Sequence, residues 1–245
     1  MNKYYYDLHI HSCLSPCGDN DMTPNNIAGM GTLNGLNIMA LTDHNSSKNC
    51  PAFFKAAKAN GIIPVAGMEL TTAEDIHVVC LFPELENAME FDDYVDGHRV
   101  KIPNRAEIFG DQLILDEEDN VIGSEEFLLL NATDIPIEKV PEIVKSMGGI
   151  CYPAHIDREA NGIIAVLGDF PKDSGFSLAE FNDGANIKPY AEKYPETADK
   201  KIIVSSDAHY LWKIKEKKEY FTLEDEPYSG SLVRRNLFKA LGLDL

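Results

Sequence analysis

Long apolar runs and a basic face are both missing from this 245-residue sequence. No apolar stretch approaches the roughly 18 residues that a membrane span needs, and Met1–Tyr4 lacks the apolar segment that would open a signal peptide. Only 22 Lys and Arg residues stand against 40 Asp and Glu residues, which gives a net charge of −18. Broad, salt-driven contact with nucleic acid requires a basic face, so we expect neither membrane association nor binding of extended nucleic acid.

Cysteine is also sparse, and its pattern argues against a disulfide framework. The five cysteines are odd in number and scattered, and no CxxC pair is present. This pattern favours reduced thiols and a cytoplasmic location. Cys13 and Cys17 lie close to the first two histidines and could serve as soft zinc ligands, but without CxxC spacing free thiols are the better interpretation.

Short apolar strands alternate with helical segments, a pattern typical of βαβ units and a parallel sheet. After a first strand that runs into the histidine pair near the N-terminus, the sequence predicts strands over 37–42, 62–66, 76–82, 150–155, 176–181, 201–205 and 220–223, and helices over 24–35, 48–60, 84–96, 136–147 and 229–241. A hydrophobic fraction of 44% is enough for a sizeable core. The length suits a single α/β barrel domain.

The alternation breaks between residues 83 and 132. This segment contains a helical, acidic stretch and a strand–turn–strand pattern made of 112–116 and 121–123. We predict one domain over 1–245, with residues 83–132 inserted at the barrel rim. The acidic runs in the insertion are typical of a solvated surface.

Six of the seven histidines, with three carboxylates, lie at or near the ends of these predicted strands. His9 and His11 are two residues apart, so in a strand their side chains point the same way. The C-terminal ends of parallel barrel strands share one face, where such side chains would converge. The nine candidate metal ligands are His9, His11, Asp19, His44, Glu69, His77, His155, Asp207 and His209. One zinc takes about four ligands, so nine indicate two or three divalent ions (Zn, Mn or Fe), with a carboxylate bridging two of them.

Two members of this set have alternative interpretations. Asp19 lies in the first loop, where the neighbouring Asp21 fits the spacing equally well. His77 lies near the start of an apolar strand, so it reaches the shared face only if that strand is short or bent. A buried core histidine without a ligand role is the other interpretation of His77.

The order of these motifs resembles that of the PHP family (polymerase and histidinol phosphatase). The matching pieces, between residue 4 and about residue 212, are Asp7-Leu8-His9-Ile10-His11, Leu41-Thr42-Asp43-His44, Gly67-Met68-Glu69, Ile76-His77-Val78, Pro153-Ala154-His155 and Ser206-Asp207-Ala208-His209. The resemblance implies a distorted (β/α)7 TIM-like barrel with up to three metals at the C-terminal face of its strands. Nothing matches the polymerase portion of the replicative enzymes, so a stand-alone domain is expected.

The resemblance also implies how the ligands divide among three ions. One ion would take His9, His11, Glu69 and Asp207; a second would share Glu69 and add His77 and His155; the third would take Asp19, His44 and His209. The first loop departs from the family pattern, because many members read Ser-Asp-Gly soon after the histidine pair and this chain reads Ser15-Pro16-Cys17-Gly18-Asp19.

Clustered divalent ions lower the pKa of bound water and neutralise phosphate oxygens. We therefore expect hydrolysis of a small phosphate ester or nucleotide by a metal-bridging hydroxide. The same hydroxide attacks carbonyls, so a metal-dependent amide or ester hydrolase of the amidohydrolase type is the alternative. A non-catalytic metal-binding module is a third hypothesis, which retention of all nine ligand types disfavours.

Five further residues are candidates for roles around the ions. Asp43 could orient an imidazole or shuttle a proton, or could simply cap a turn. Arg158 is the first candidate for holding a phosphate, and Arg105 in the insertion is the second. Asn182 could contact substrate or cap the next helix. Asp7 is expected outside the set of ligands, supporting one of the two histidines that follow it.

Overall fold

The computed structural model describes residues 1–243 and has an α/β fold. Its strands are β1 (Asn2–Asp7), β2 (Ile38–Leu41), β3 (Ile63–Thr71), β4 (His77–Phe82), β5 (Leu113–Leu115), β6 (Val121–Ser124), β7 (Ile150–Pro153), β8 (Leu178–Phe181), β9 (Lys201–Val204) and β10 (Tyr220–Leu223). Its helices are α1 (Pro24–Leu33), α2 (Cys50–Ala59), α3 (Leu85–His98), α4 (Ala106–Phe109), α5 (Val140–Ser146), α6 (Ile163–Leu167), α7 (Ile187–Lys193) and α8 (Gly230–Leu241). None of these helices is long and apolar enough to cross a membrane.

A six-stranded sheet in the order β10-β1-β2-β3-β4-β7 curls into a half-barrel. The strands β8 and β9 form a separate parallel pair. Several contacts link this pair to the large sheet; among them, Ile10 and Ala208 form a parallel bridge, and the Ile156 N–H donates to the Glu180 carbonyl over 2.8 Å. The chain segments that follow β1, β7 and β9 therefore meet at one face.

Strand β4 runs antiparallel to both of its neighbours, β3 and β7. The expectation of a parallel sheet is wrong at this strand. The connection from Thr71 to His77 is a short turn, which suits an antiparallel pair, whereas a parallel pair needs a crossover of a dozen or more residues. Because β4 is reversed, His77 at its start pairs with Thr71 at the end of β3 and lies at the shared face.

The apolar side chains form two clusters that support this face from below. One cluster contains Leu8, Val65 and Tyr152, and helix α8 packs against it. The other lies where the sheet meets helices α1, α2 and α3, and it includes Phe53 and Phe91. Strand β3 is buried along its whole length, so its single charged residue lies in the interior of the protein.

The segment from 83 to 132 contains the predicted hairpin, formed by β5 and β6. It also contains α4, which the sequence did not predict, and α6 and α7 elsewhere in the chain were missed as well. The hairpin docks on the loop between β1 and α1, where the Leu113 N–H donates to the Cys13 carbonyl over 2.9 Å. At Gly110 a Cβ atom would lie 2.0 Å from the Pro16 carbonyl oxygen, so only glycine allows this close approach.

Candidate metal centre

Glu69 lies at the centre of a cluster of imidazoles. It is fully buried in β3, and its two carboxylate oxygens lie 3.0–3.3 Å from nitrogen atoms of five histidines. Oε1 faces His9, His77 and His155, and Oε2 faces His11 and His44. A carboxylate with both oxygens surrounded by potential ligands has the geometry needed to bridge two cations.

Asp207 supplies the second carboxylate of the cluster. Its Oδ1 lies 3.1 Å from His11 Nε2 and 3.4 Å from His9 Nε2. Its Oδ2 faces the guanidinium of Arg158 at 2.5 Å. The ring of His209 stacks on that of His11, with centroids 4.1 Å apart.

Three groups of ligand atoms are close enough to hold ions, with all atoms in each group within 4.8 Å of one another. The groups are His9, His11, Glu69 and Asp207; His44, Glu69 and His77; and His11, His44 and His209. The first coincides with a set that the sequence resemblance implied, whereas the other two divide the ligands differently. His155 joins none of them, although its Nε2 lies 3.1 Å from Glu69 Oε1. Within residues 1–243 no cysteine belongs to these groups.

Asp19 lies beside the cluster, but its carboxylate is directed elsewhere. Its main-chain N–H donates to the His209 carbonyl over 2.9 Å, which brings the first loop onto the centre. Its Oδ1 accepts the N–H of Asp21 over 2.8 Å. The carboxylate is absent from the three groups found among the described residues.

Two of the candidate ligands have left-handed backbone conformations. The φ angle is 28° at His155 and 51° at Asp207. Such values are uncommon for residues other than glycine and are retained where the surrounding structure holds them in place. They turn the chain just beyond β7 and β9, so that both side chains contact the cluster.

Asp43 reaches the cluster through a serine. This buried carboxylate accepts hydrogen bonds from the hydroxyls of Ser12 and Ser15, each over 2.7 Å. The Ser15 Oγ lies 3.0 Å from His11 Nδ1. Asp43 therefore makes no direct hydrogen bond to an imidazole and is connected to His11 through Ser15.

Glu180 is the main residue that sequence reasoning missed. It is fully buried in β8, its Oε1 lies 2.8 Å from His9 Nδ1, and the same oxygen accepts the His155 N–H over 3.1 Å. A single charged residue inside the apolar run Leu178-Ala179-Glu180-Phe181 was the signal that could have identified it.

The remaining sequence candidates lie outside the cluster. Asp7 accepts the Ser206 N–H over 3.0 Å, so it supports the turn before Asp207 and not either of the two histidines that follow it. Asn182 donates to the Ser206 carbonyl over 2.8 Å. Arg105 is exposed, with its guanidinium 5.9 Å from the centre of the Phe109 ring.

The protonation preferences of the cluster follow from burial and from the two carboxylates. Burial opposes ionisation of Glu69, but the imidazoles of His77 and His9 hold its pKa well below the usual range. Burial lowers the pKa of His44 to about 3 and that of His209 to about 4. Burial also acts to lower the pKa of His11, but the carboxylates of Asp207 and Glu69 outweigh this effect and raise that pKa to about 9.

Several polar atoms of the cluster form no well-aligned hydrogen bond with the described residues, even where an imidazole nitrogen lies 3.0 Å from an oxygen of Glu69. They include His44 Nδ1, His77 Nδ1 and Glu69 Oε2, all buried. Uncompensated buried polar atoms are costly, and here they surround a cavity of about 110 Å³ that Arg158 and Asn161 also line. Imidazole nitrogens and carboxylate oxygens suit Zn, Mn and Fe, so the residues present fit divalent metal ions.

The sequence match agrees with this geometry. The family model of the PHP domain matches residues 7–170. The chain belongs to the PHP domain family. The matched range contains all of the clustered PHP-domain ligand candidates except Asp207 and His209, which come from the turn after β9. A comparison with curated proteins finds no match.

Solved structures share the fold of this PHP-domain chain. The lesion-specific endonuclease PfuEndoQ from Pyrococcus furiosus is similar with a TM-score of 0.60 and 17% identity, over 96% of this chain and 55% of that one. A protein from Bifidobacterium adolescentis, described provisionally as a metal-dependent phosphoesterase, has a TM-score of 0.59 and 17% identity over 99% of this chain and 98% of that one. An amidohydrolase from Chromobacterium violaceum with bound sulfate has a TM-score of 0.60 and 17% identity, over 90% of this chain and 92% of that one. At these identities the likeness concerns the fold, and this chain spans only about half of PfuEndoQ.

Proposed function

We propose that this PHP-domain chain is a metal-dependent hydrolase that cleaves a small phosphate ester or a nucleotide. The observation that carries the proposal is Glu69, whose two oxygens face five imidazoles in the interior of the protein. Family membership supports the assignment to metal-dependent hydrolysis.

The residues that would hold two or three divalent ions are the nine sequence candidates. Seven of them lie around an eighth, Glu69, and the ninth, Asp19, would require its carboxylate to turn toward His209. When bound, divalent ions of this kind supply Lewis acidity and lower the pKa of a coordinated water.

Arg158 is the proposed phosphate contact. Its side chain is 45% exposed at the cavity, and Nη1 is engaged by Asp207. The remaining guanidinium donors can reach an anion, because arginine presents five N–H groups in a planar fork. The cavity of about 110 Å³ suits a phosphoryl group and leaves the rest of the substrate outside.

The architecture in this proposal is one domain, a distorted (β/α)7 barrel with β4 reversed. Strands β1, β2, β3, β4, β7, β8 and β9 would form its wall, closed by the Ile10–Ala208 bridge. The segment 83–132 would be an insertion that covers the first loop. A cytoplasmic location remains our prediction from the sequence.

The substrate class is open to a direct test. Endonuclease Q has been crystallised with a DNA duplex that carries an abasic lesion, and another structural neighbour is described as an amidohydrolase. The protein should be stripped of metal, reloaded with Mn, Fe or Zn, and assayed on aryl phosphates, nucleotides, aryl esters and amides. We expect phosphate release. Cleavage of amides alone would support the amidohydrolase alternative.

A matched pair of variants controls this assay. His9→Ala should abolish phosphate release and reduce metal content. His98→Ala removes the one histidine outside the cluster, which is half-exposed and hydrogen-bonded to Asp134. This variant should leave phosphate release and metal content unchanged. A phosphate yield of zero from every ester under every metal would overturn the proposal.

A further inference from the structure

Two cysteines face each other across the strand pair β4–β7. The antiparallel register places Cys80 directly opposite Cys151, so the two side chains point to the same face of the sheet. Both belong to the apolar cluster that also contains Val140 and Val144 of α5. Neither cysteine takes part in a disulfide bond. Two free thiols are therefore cross-strand neighbours beneath a helix.

The hydrogen-bond pattern of the ladder decides how close these two cysteines are. Directly opposite residues alternate between hydrogen-bonded pairs and non-hydrogen-bonded pairs, and in the latter the Cα atoms are only about 4.5 Å apart. The Ala154 N–H donates to the His77 carbonyl over 3.0 Å, so these two residues form a hydrogen-bonded pair. Pro153, in the next pair, has no N–H to donate, which agrees with a non-hydrogen-bonded position. Cys80 and Cys151 lie two residues further along and are therefore a non-hydrogen-bonded pair as well.

This geometry suits a disulfide bond. Disulfides join cysteines whose Cα atoms are about 4.4–6.8 Å apart and whose Cβ atoms do not point away from each other. Cys80 and Cys151 meet both conditions, because opposite residues of this kind have Cα atoms about 4.5 Å apart and side chains on one face. The other three cysteines, at positions 13, 17 and 50, lie outside the strands of the described residues. The chain thus has one cross-strand cysteine pair.

A cavity of about 290 Å³ gives small molecules access to one of the two thiols. Cys151 lines this cavity together with Lys145 and Gly149, and it is 7% exposed, whereas Cys80 is fully buried. Burial raises the pKa of both thiols, so the reactive thiolate is scarce and bulky reagents are kept away. A small oxidant that enters the cavity meets the Cys151 sulfur first.

The two strands that carry the cysteines also bring two candidate ligands to Glu69. His77 is the first residue of β4, and His155 follows β7; their rings lie 3.0 and 3.1 Å from the same oxygen, Glu69 Oε1. Strand β7 is the last of the six-stranded sheet, and among the described strands only β4 forms a ladder with it. Segments with few backbone partners open locally more readily than central strands. A covalent bond between β4 and β7 would hold this edge of the sheet closed.

We propose that Cys80 and Cys151 are a redox modification site, a dithiol that hydrogen peroxide converts into a disulfide between β4 and β7. The Cys151 sulfur attacks one peroxide oxygen, the O–O bond breaks, and a sulfenic acid and one water form. The Cys80 sulfur then attacks the sulfenic sulfur, so that the S–S bond forms and the S–O bond breaks with release of a second water. The two thiol protons leave in the two waters, and one peroxide is reduced for each dithiol oxidised.

Peptide mapping tests this linkage. Metal-stripped full-length protein is treated with hydrogen peroxide, unfolded in iodoacetamide to block the remaining thiols, and digested with trypsin. Cys80 lies in the tryptic peptide 59–99 and Cys151 in the peptide 146–158, and each peptide contains a single cysteine. We expect these two peptides to be joined in the main disulfide product and to separate on reduction. The proposal is overturned if they stay unlinked, or if another cysteine pair is the main disulfide.

Serine variants identify the sulfur atoms that react. Cys80→Ser and Cys151→Ser should each abolish the linked product. Cys50→Ser is the matched control, because Cys50 is equally buried in the same apolar cluster but lies at the start of α2. This control should still give the linked peptides, and loss of the link in Cys50→Ser would count against a reaction confined to the β4–β7 pair.

Thermal unfolding tests whether the bond fits the strands. The oxidised wild-type protein should have a Tm at least about 5 °C above that of the reduced protein, because the disulfide closes a loop of about 70 residues and restricts the unfolded chain. Peroxide should leave the Tm of Cys80→Ser unchanged. A lower Tm in the linked protein would show that the bond distorts the strands and would overturn the proposal. Both measurements need neither metal nor turnover, so their outcome is independent of the proposed hydrolase function.

Discussion

Glu180 Oε1 lies 2.8 Å from His9 Nδ1 and also accepts the main-chain N–H of His155 over 3.1 Å. One buried carboxylate thus fixes the ring of one candidate ligand and the backbone of another. A carboxylate bonded to Nδ1 leaves Nε2 as the free ligand atom, and Nε2 of His9 is the nitrogen that faces Glu69 and Asp207.

Replacement of Glu180 should weaken metal binding while the fold is kept. We expect Glu180→Gln to reduce the affinity for the added divalent ion by about 10–100-fold, the usual cost of losing a carboxylate behind a ligating histidine. Calorimetric titration of the stripped protein measures this change. Asp92→Asn is the control, because Asp92 is equally buried but bonds to Ser46 and Ser47. Equal losses in both variants would indicate a general folding defect.

The hydrogen-bonded route from Asp43 through Ser15 to His11 leads to a prediction about two serines. Both Ser12 and Ser15 donate to Asp43 over 2.7 Å, but only the Ser15 hydroxyl lies at hydrogen-bond distance from the His11 ring. Ser15→Ala should therefore lower metal affinity and activity more than Ser12→Ala, by about tenfold. Metal content and kcat of the two variants, measured side by side, provide the comparison. A larger effect of Ser12→Ala would exclude this route.

Removal of the Arg158 guanidinium should weaken substrate binding. We expect Arg158→Ala to raise the KM for phosphate esters about tenfold or more, because a charge-assisted contact with phosphate is lost. The Asp207 carboxylate also loses a partner, so metal content must be measured in the same samples. Arg105→Ala should leave KM unchanged, since Arg105 lies beside Phe109 and not at the cavity. The assignment fails if the two variants give the same KM.

Metal affinity should rise with pH in the neutral range. In the metal-free protein the pKa of His11 is raised to about 9, so this imidazole carries a proton at pH 7. A metal ion binds the unprotonated imidazole nitrogen, so its binding must displace the proton of His11. His44 and His209 have no such proton to lose, because burial lowers their pKa. Apparent affinity should increase about tenfold per pH unit between pH 6 and 8 for each proton displaced. Titrations in buffers of different ionisation enthalpy report the proton release, and an affinity independent of pH would contradict the prediction.

Membership of the PHP family could be predicted from the spacing and order of short motifs. His9, His11, His44, His155 and His209 each lie at or just beyond the C-terminal end of a predicted strand, and the periodicity of apolar residues was sufficient to locate those strands. The rule that strand ends share a face then predicted the convergence that the structure shows for these histidines and Glu69.

His77 and Glu180 show what periodicity could not reveal. The reversal of β4 depends on a short turn between paired strands, and strand direction leaves no mark on the alternation of side chains. That reversal brings His77 to within 3.0 Å of Glu69. Glu180 and His9 are 171 residues apart, and their contact exists only because the β8–β9 pair packs against the chain after β1.

The sequence by itself determined the kind of candidate ligands, their order and the family, because residue type and local spacing are carried by the chain. Tertiary structure decided which ligand atoms share a group, which carboxylates stand behind the imidazoles, and that Asp19 points to Asp21 while Asp7 supports the turn before Asp207. These contacts join residues that lie far apart in sequence, or depend on backbone angles such as the left-handed conformation at His155. Local propensity does not determine such contacts, because they form only when the complete sheet packs together.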